Sequence, residues 1–461
     1  MLEFQNTYIQ NPSHFFSPVK ADHLENPELI LFNYDLALEL TGIDFNKYSP
    51  QEIANYFSGQ DKTIDSISLA YSGHQFGHLN PTLGDGRAML MGEILTKENK
   101  RFDIQLKGSG PTPYSRNGDG KSALGPVIRE YLVSEAMHSL GVPTTRALCA
   151  VNTNENVFRQ TPEPGGIFTR VASSHIRIGT FEYFAIREDF NGIKTLADYT
   201  IARHYPDADG NYLKFIELVA KKWATMIAKW MSLGFIHGVM NTDNMAVSGE
   251  TIDFGPCAFM DTYSENKVFS SIDRNGRYAY NNQLNIGKWN LYRFASCFIQ
   301  LVEAKQIEKL LEELDNIFEV SWLSEMAKKF GISSAIESDK DLIKSFLKIL
   351  EDNKLDFTQS FTKLTHGLDS FGELEGFLDF KIKWEKRIDI EEAQKYMQNV
   401  NPYIIPRNHQ VQKAIDMAYD GDYSYFIDLN KAFKEPYSSN HETLMITPKE
   451  NEIVTATFCG T

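Results

Sequence analysis

Asn244 and Asp253 place an amide oxygen and a carboxylate nine residues apart in HGVMNTDNMAVSGETIDFG. A hard divalent cation such as Mg2+ takes oxygen donors of this kind and completes its shell from substrate phosphates. Asp243, next to Asn244, adds a carboxylate that can accept a proton. Other residues carry what phosphates require. In LGDGR, Gly84 and Gly86 permit close approach of backbone N–H groups, and Arg87 can clamp an anion bidentately. In IQLKGSG, Lys107 ends a strand-like run, and Glu130 follows 23 residues later on a helical pattern. Arg170 and Arg177 stand seven apart in IFTRVASSHIRIG among apolar neighbours, where a charge requires a partner. The chemistry open to such a set is metal-assisted transfer of a phosphorus group from a nucleoside polyphosphate.

Each feature has a plainer alternative. Asp-Gly by itself is a strong hairpin signal, and Lys107 and Glu130 can be a solvated lysine and a surface acid, with Glu135 equally available. For Arg170 and Arg177 the partner is a polyphosphate or an internal carboxylate. The run Asn-Thr-Asp-Asn is ordinary turn chemistry. The spacing tips the balance: a protein-kinase catalytic loop, H-R-D-x-x-x-x-N, places Asn seven after His, as Asn244 follows His237, and is followed by D-F-G, here Asp253-Phe254-Gly255. The position of the usual catalytic aspartate is Val239, so ordinary hydroxyl phosphorylation is not assumed, and Asp243 is the nearest substitute base. Gly120-Lys121-Ser122 suggests a Walker A loop, but the motif requires Gly where Ser115 stands. Asp119 and Gly120 remain as a polar turn before a helix, suited to a ribose, base or phosphate contact or to helix entry alone.

The elements that must hold these residues divide the chain. Residues 1–65 read as an irregular lead-in with one helical stretch, ELILFNYDLALELTG, stopping at Gly42. From 66 to about 188, short apolar runs (RAMLMGEIL, FDIQLKG, RALCAVN, VFRQ, GGIFTRVA) predict a mostly antiparallel sheet. One helix interrupts it, about Gly125 to Leu140, with Glu130 on the face of Val127, Ser134 and Met137. From 189 to 461 long amphipathic segments predict a mainly helical lobe, with NMAVSG and ETIDFG as a small hairpin turning at Ser248-Gly249. The expected class is α+β, a kinase-like bilobal fold with a β-rich nucleotide-binding lobe and a helical lobe carrying the catalytic loop.

Composition bounds the partners. With 46 Lys+Arg against 61 Asp+Glu in 461 residues, net charge is −15, which lacks the electrostatic footprint of a duplex-binding protein and gives no reason to require an oligomer. Cys149, Cys257, Cys297 and Cys459 form no CxxC and imply a reducing compartment. No run reaches the ~20 apolar residues of a membrane span, and no secretory or transit pattern opens the chain. A soluble, cytoplasmic, monomeric protein is expected, binding neither nucleic acid nor membrane.

In order along the chain, YSGHQFGH, LGDGR, LKGSGPTPYSR, GDG, REYLVSEAMHSLGVPTTRAL, HIRIGTFEYFA, HGVMNTDN and DFGPCAFMD resemble the selenoprotein O family, protein adenylyltransferases with a pseudokinase fold. The match is dense over residues 70–262 and looser elsewhere. The resemblance implies ATP bound end to end relative to a kinase, attack at the α-phosphate, transfer of AMP to Ser, Thr or Tyr hydroxyls of protein substrates, and release of pyrophosphate. It assigns nucleotide contacts to Gly84, Gly86, Arg87, Lys107, Asp119, Gly120, Arg170, Arg177 and Asp253, metal binding to Asn244 and Asp253, support of Lys107 to Glu130, and the proton acceptor to Asp243. It further implies Mg2+, with Mn2+ as a substitute, and UTP as an alternative donor. Some members pair a cysteine after the DFG with a C-terminal cysteine or selenocysteine. VFSSIDRNGRY has none, which leaves Cys459 without that partner, and Cys257 reads as a small buried residue. Two other readings stay open: a phosphotransferase using Asp243 as base, and a silent nucleotide-binding scaffold, against which the retained metal ligands weigh.

Overall fold

The computed structural model describes residues 1–367, 371–372 and 374–458. Cys459 and its pairing lie outside the described residues. The first part of the chain runs β1 (Phe16–Pro18), β2 (Glu28–Phe32), α1 (Tyr34–Thr41), α2 (Pro50–Phe57), β3 (Ile67–Leu69), β4 (Gly73–Gln75), β5 (His78–Asn80), β6 (Ala88–Leu95), β7 (Arg101–Lys107), β8 (Ser122–Ala123), α3 (Leu124–Ser139), β9 (Arg146–Phe158) and β10 (Pro162–Ala172). Its main sheet is antiparallel in the order β1-β3-β6-β7-β10-β9-β2, with β8 against β10. Strand alternation sorts side chains between its faces. Ile104 and Leu106 of β7 and Ile167 and Val171 of β10 join the core with Leu36 of α1 and Ile53 and Phe57 of α2. Gln105 and Lys107 belong to the opposite set, and β10 pairs Arg170 with Gln105 and Phe168 with Lys107. Period two therefore brings Lys107 and Arg170 to the same face.

The lead-in is more ordered than expected. Residues 28–32, read as the start of a helix, form edge strand β2 against β9. Helix α1 begins only at Tyr34, because the Asn33 side chain accepts from the Leu36 N–H at 3.2 Å and sets the N-terminus there. It ends at Gly42, as the sequence indicates, in the left-handed conformation (φ 69). Ser49 and Glu52 form a capping box that starts α2 behind Pro50. The run RALCAVN and the first two residues of VFRQ belong to one 13-residue strand, β9, rather than to two strands.

The rest is mainly helical: α4 (Ile178–Ala185), α5 (Phe190–His204), α6 (Tyr212–Ser232), β11 (Phe235–Ile236), β12 (Ala258–Phe259), α7 (Gln283–Ser296), α8 (Ala304–Glu312), α9 (Leu314–Lys328), α10 (Asp339–Asp352), α11 (Phe357–His366), α12 (Phe377–Arg387), α13 (Ile390–Met397), α14 (Asn408–Tyr419), α15 (Ser424–Ala432) and α16 (Glu442–Met445). Phe215, Val219, Trp223, Met226 and Trp230 make α6 a central buried helix. Two of its indoles fix the loop that matters most: Trp223 Nε1 donates to the Ala246 carbonyl at 3.0 Å and Trp230 Nε1 to Thr251 Oγ1 at 2.9 Å. The expected hairpin over 244–255 is reduced to one antiparallel bridge, Met245 with Thr251, with Gly249 at φ 84. The two indoles of α6 hold it without a ladder. Helices α14 and α15 turn back onto α3, where Val411, Ile415, Phe426 and Leu429 share a core with Val127, Ile128 and Tyr131. Among the described residues no helix is long and apolar enough to cross a membrane.

Candidate active site

A cleft of about 800 Å3 separates the sheet from the helices, and Gly84, Gly86, Arg87, Lys107, Asp119, Gly120, Glu130, Arg170, Arg177, Asp243, Asn244 and Asp253 all line it. Asp253 is its electrostatic centre. Held at φ 66, its carboxylate accepts from Arg170 Nη1 at 2.6 Å, Arg177 Nη1 at 2.5 Å, Lys107 Nζ at 3.3 Å and Asn244 Nδ2 at 3.1 Å. Burial alone would raise this carboxyl, but Arg177, then Arg170 and Lys107, outweigh it and hold the group well below the usual carboxylate range. The internal carboxylate that the two arginines could pair with is thus Asp253 itself.

Lys107 also contacts Glu130 Oε1. Glu135, the competing acid, is taken elsewhere: Arg146 reaches it at 2.8 and 2.9 Å, and the Ala147 N–H at 2.9 Å. The second oxygen of Glu130 is buried without a hydrogen-bond partner among the described residues. A relay stiffens this wall, since Asp85 accepts from the Leu69 N–H at 3.1 Å and Gln105 Nε2 at 3.2 Å, and Gln105 Oε1 accepts from Arg170 Nη2 at 2.6 Å. The Tyr114 ring lies over Gly84, which sits at φ +62 with no room for a Cβ. At the outer end Asp119 is held by Arg159 at 2.8 and 3.3 Å and by the Lys121 N–H at 3.0 Å, beside Gly120 at φ 64.

Asp243 lies in a short 3-10 turn, Thr242–Asn244. Burial raises its carboxyl to about 6, against the opposing pull of Arg177. Gln75 Nε2 donates to Oδ2 at 3.3 Å, whereas Oδ1 is buried without a hydrogen-bond partner among the described residues. Val239 lines the same cleft and offers no proton acceptor. The hairpin of β4 and β5 presses onto this turn. His74 N donates to Thr242 Oγ1 at 2.7 Å, Thr242 Oγ1 to Glu182 at 2.5 Å, and Phe76 N to Asn241 Oδ1 at 3.0 Å. Gly73 sits so close to Asp243 that a Cβ there would collide with the carboxyl and with Leu83.

Among the described residues no group of three or more His, Cys, Asp or Glu is placed to hold a metal. Asn244 and Asp253 nevertheless face each other at 3.1 Å, and two oxygen donors suit Mg2+ when phosphates supply the other ligands. Sequence reasoning missed Gln75, Asp85, Gln105 and Asn241. Gln105 was within reach, being two residues from Lys107 on one strand; Gln75 and Asn241 gain their contacts only through tertiary approach of the hairpin.

A family model described as "Protein adenylyltransferase SelO" matches residues 1–434. The chain is similar over its length to proteins named "Protein nucleotidyltransferase YdiU". That of Roseobacter denitrificans is 47% identical over 468 residues, covering 99% of each chain. That of Agrobacterium fabrum is 46% identical over 489 residues, covering 100% of both. That of Clostridium perfringens is 46% identical over 480 residues, covering 99% of this chain and 97% of the relative. With the family model covering nearly all of the chain and relatives matching from end to end, this chain belongs to the SelO family of protein adenylyltransferases.

Proposed function

We propose that this protein transfers AMP from ATP to hydroxyls of Ser, Thr or Tyr in other proteins, with release of pyrophosphate. The observation that carries the reading is the placement of acids and cations in one cleft: Asp243 brings a carboxyl of raised pKa into a site whose kinase-type base position is Val239. A carboxylate with a value near 6 is neutralised and regenerated readily near neutral pH. In this reading the acceptor oxygen attacks the α-phosphorus while its proton passes to Asp243. The bond from that phosphorus to the oxygen bridging the β-phosphate breaks, and pyrophosphate leaves.

Lys107, Arg170 and Arg177 bind the phosphate oxygens and the departing charge, and Glu130 keeps Lys107 in place. Gly84, Gly86 and Arg87 cradle the phosphate chain, while Asp119 and Gly120 border it at the outer end. Asn244 and Asp253 would hold Mg2+, or Mn2+ in its place, and the ion supplies shielding of charge on the reacting phosphate. UTP is an alternative donor on this reading. The cleft is complete within one chain, which supports a monomer. Three buried free thiols, Cys149, Cys257 and Cys297, suit a reducing, cytoplasmic setting.

The test is mass spectrometry of acceptor protein after incubation with ATP and Mg2+. An AMP adduct is expected, lost with chelator and in Asp253→Ala, and reduced about 100-fold or more in Asp243→Asn. A phosphate adduct, or full activity in either variant, would overturn the role assignments.

A further inference from the structure

Among the described residues four aromatic side chains line the cleft, Tyr71, Phe76, Tyr114 and Phe158, and three of them are already engaged by the protein. The Arg177 guanidinium lies over the Tyr71 ring at 5.0 Å, Phe76 meets the ring of Tyr278 at 5.2 Å, and Tyr114 covers Gly84. Phe158 makes no ring or cation contact among the described residues and is 74% exposed. A lone exposed phenylalanine on an outer surface would need no explanation. This one is part of the cleft wall, where a ligand can reach its face.

Local structure fixes the residue where it stands. Val157 is buried, and period two turns Phe158, the last residue of β9, to the other side. The chain then reverses at once: Phe158 pairs with Pro162, and the Arg159 N–H donates to the Thr161 carbonyl at 3.1 Å. Besides gripping Asp119, Arg159 donates from Nη2 to the Lys121 carbonyl at 2.9 Å and from Nη1 to the Phe158 carbonyl at 3.0 Å. One guanidinium thus ties the Phe158 backbone to the turn at 118–121. In that turn a Cβ on Gly120 would collide with the Gly110 carbonyl, so bare peptide borders the cleft there.

Charge orients a nucleoside triphosphate between the two ends of the cleft. Lys107, Arg170 and Arg177 gather on Asp253, so the phosphate chain belongs with them. The uncharged nucleoside is left for the end bounded by Asp119, Gly120 and Phe158, and about 800 Å3 holds both parts. Every base has a π-face, and an exposed aromatic ring holds it by stacking, more firmly for a purine's two rings than for a pyrimidine's one. From this we infer that Phe158 is the nucleobase platform of the cleft, a specificity residue that makes a purine triphosphate a better donor than UTP. The inference rests on the AMP-transfer reading through the nucleotide that reading places in the cleft, and it adds the residue that selects the base.

The experiment titrates the full-length protein, in the presence of Mg2+, with ATP, UTP and inorganic tripolyphosphate, which carries the phosphates without a base. Native protein is expected to bind ATP more tightly than UTP. Phe158→Ala should weaken ATP binding about tenfold and UTP binding less, bringing the two together, while tripolyphosphate binding and the ligand-free Tm stay unchanged. Phe158→Tyr should restore the preference for ATP. Unchanged ATP affinity in Phe158→Ala would overturn the inference. So would an equal loss for all three ligands, which marks a disturbed cleft rather than a lost platform, or a raised KM for the acceptor protein alone, which would give the ring to the polypeptide. Native protein that binds none of the three would instead sink the nucleotide-transfer reading, and the inference with it.

Discussion

Asp253 balances three cations within hydrogen-bonding reach, and its replacement exposes that balance. In Asp253→Ala, Lys107, Arg170 and Arg177 repel one another without the carboxylate, which should cost about 3 kcal/mol of stability. ATP would then supply the missing negative charge. Thermal denaturation should show a larger ATP-induced rise in Tm for Asp253→Ala than for the native protein, although AMP transfer is lost; an equal or smaller rise would contradict the phosphate-binding role of the cations. Lys107→Ala should raise the KM for ATP about tenfold, and unchanged nucleotide kinetics would count against its contact. At this scale the sequence was informative where a side-chain type and a spacing coincide, as in Asn244 with Asp253 or Lys107 with Glu130. It left Glu130 and Glu135 undecided because the two are neighbours on one helix. Arg146, beyond the turn at Gly141, resolves them by claiming Glu135.

The β4–β5 hairpin joins the two sides of the cleft through backbone contacts to Thr242 and Asn241. Gly73→Ala should drive a methyl into the Asp243 carboxyl and lower kcat by about 100-fold while leaving the KM for ATP close to native. Steady-state kinetics check this, and a change in KM alone would show that the hairpin serves the nucleotide instead. The hairpin was not legible beforehand, since its three-residue strands are too short to display a period. Helix α3 was, to within one residue at each end, because Gly141 and Pro143 stop a pattern already four residues in spacing. Residues 28–32 misled for the opposite reason: a four-residue apolar run, Leu29 to Phe32, next to a true helix reads as its first turn until Asn33 caps the helix behind it.

Across the whole molecule, the proposed lobes, 66–188 and 189–461 with residues 1–65 against the first, are stitched together at more than the cleft. Helices α14 and α15 come from the far end of the sequence yet share a core with α3, the helix that bears Glu130. Phe426 meets Tyr131 edge-on at 5.4 Å, so Phe426→Ala should cost about 3 kcal/mol and loosen Glu130. Denaturant unfolding checks the cost, and a change under 1 kcal/mol would deny the packing its role. This return contact was hidden from the sequence, whose helical patterns specify apolar faces but not their partners. Acid sensitivity belongs to the same scale. Burial depresses the imidazoles of His175 and His204 from 6.5 to about 4 and about 3, and Arg170 beside His175 and Arg203 beside His204 add to it. The unfolded chain takes up these protons first as pH falls below 6.5, so stability should drop from there and level off below the folded values. Between pH 7 and 5, His204→Gln should lose about 2 kcal/mol less than the native protein; equal losses would remove His204 from the account.

The central claim concerns which phosphorus is attacked, and one measurement addresses it: covalent labelling of a protein acceptor by ATP carrying label on either the α- or the γ-phosphate, with Mg2+ and with Asp253→Ala as control. Label from α-ATP alone, absent in the variant, is the predicted result. Label from γ-ATP alone would make this chain a phosphotransferase and contradict the account.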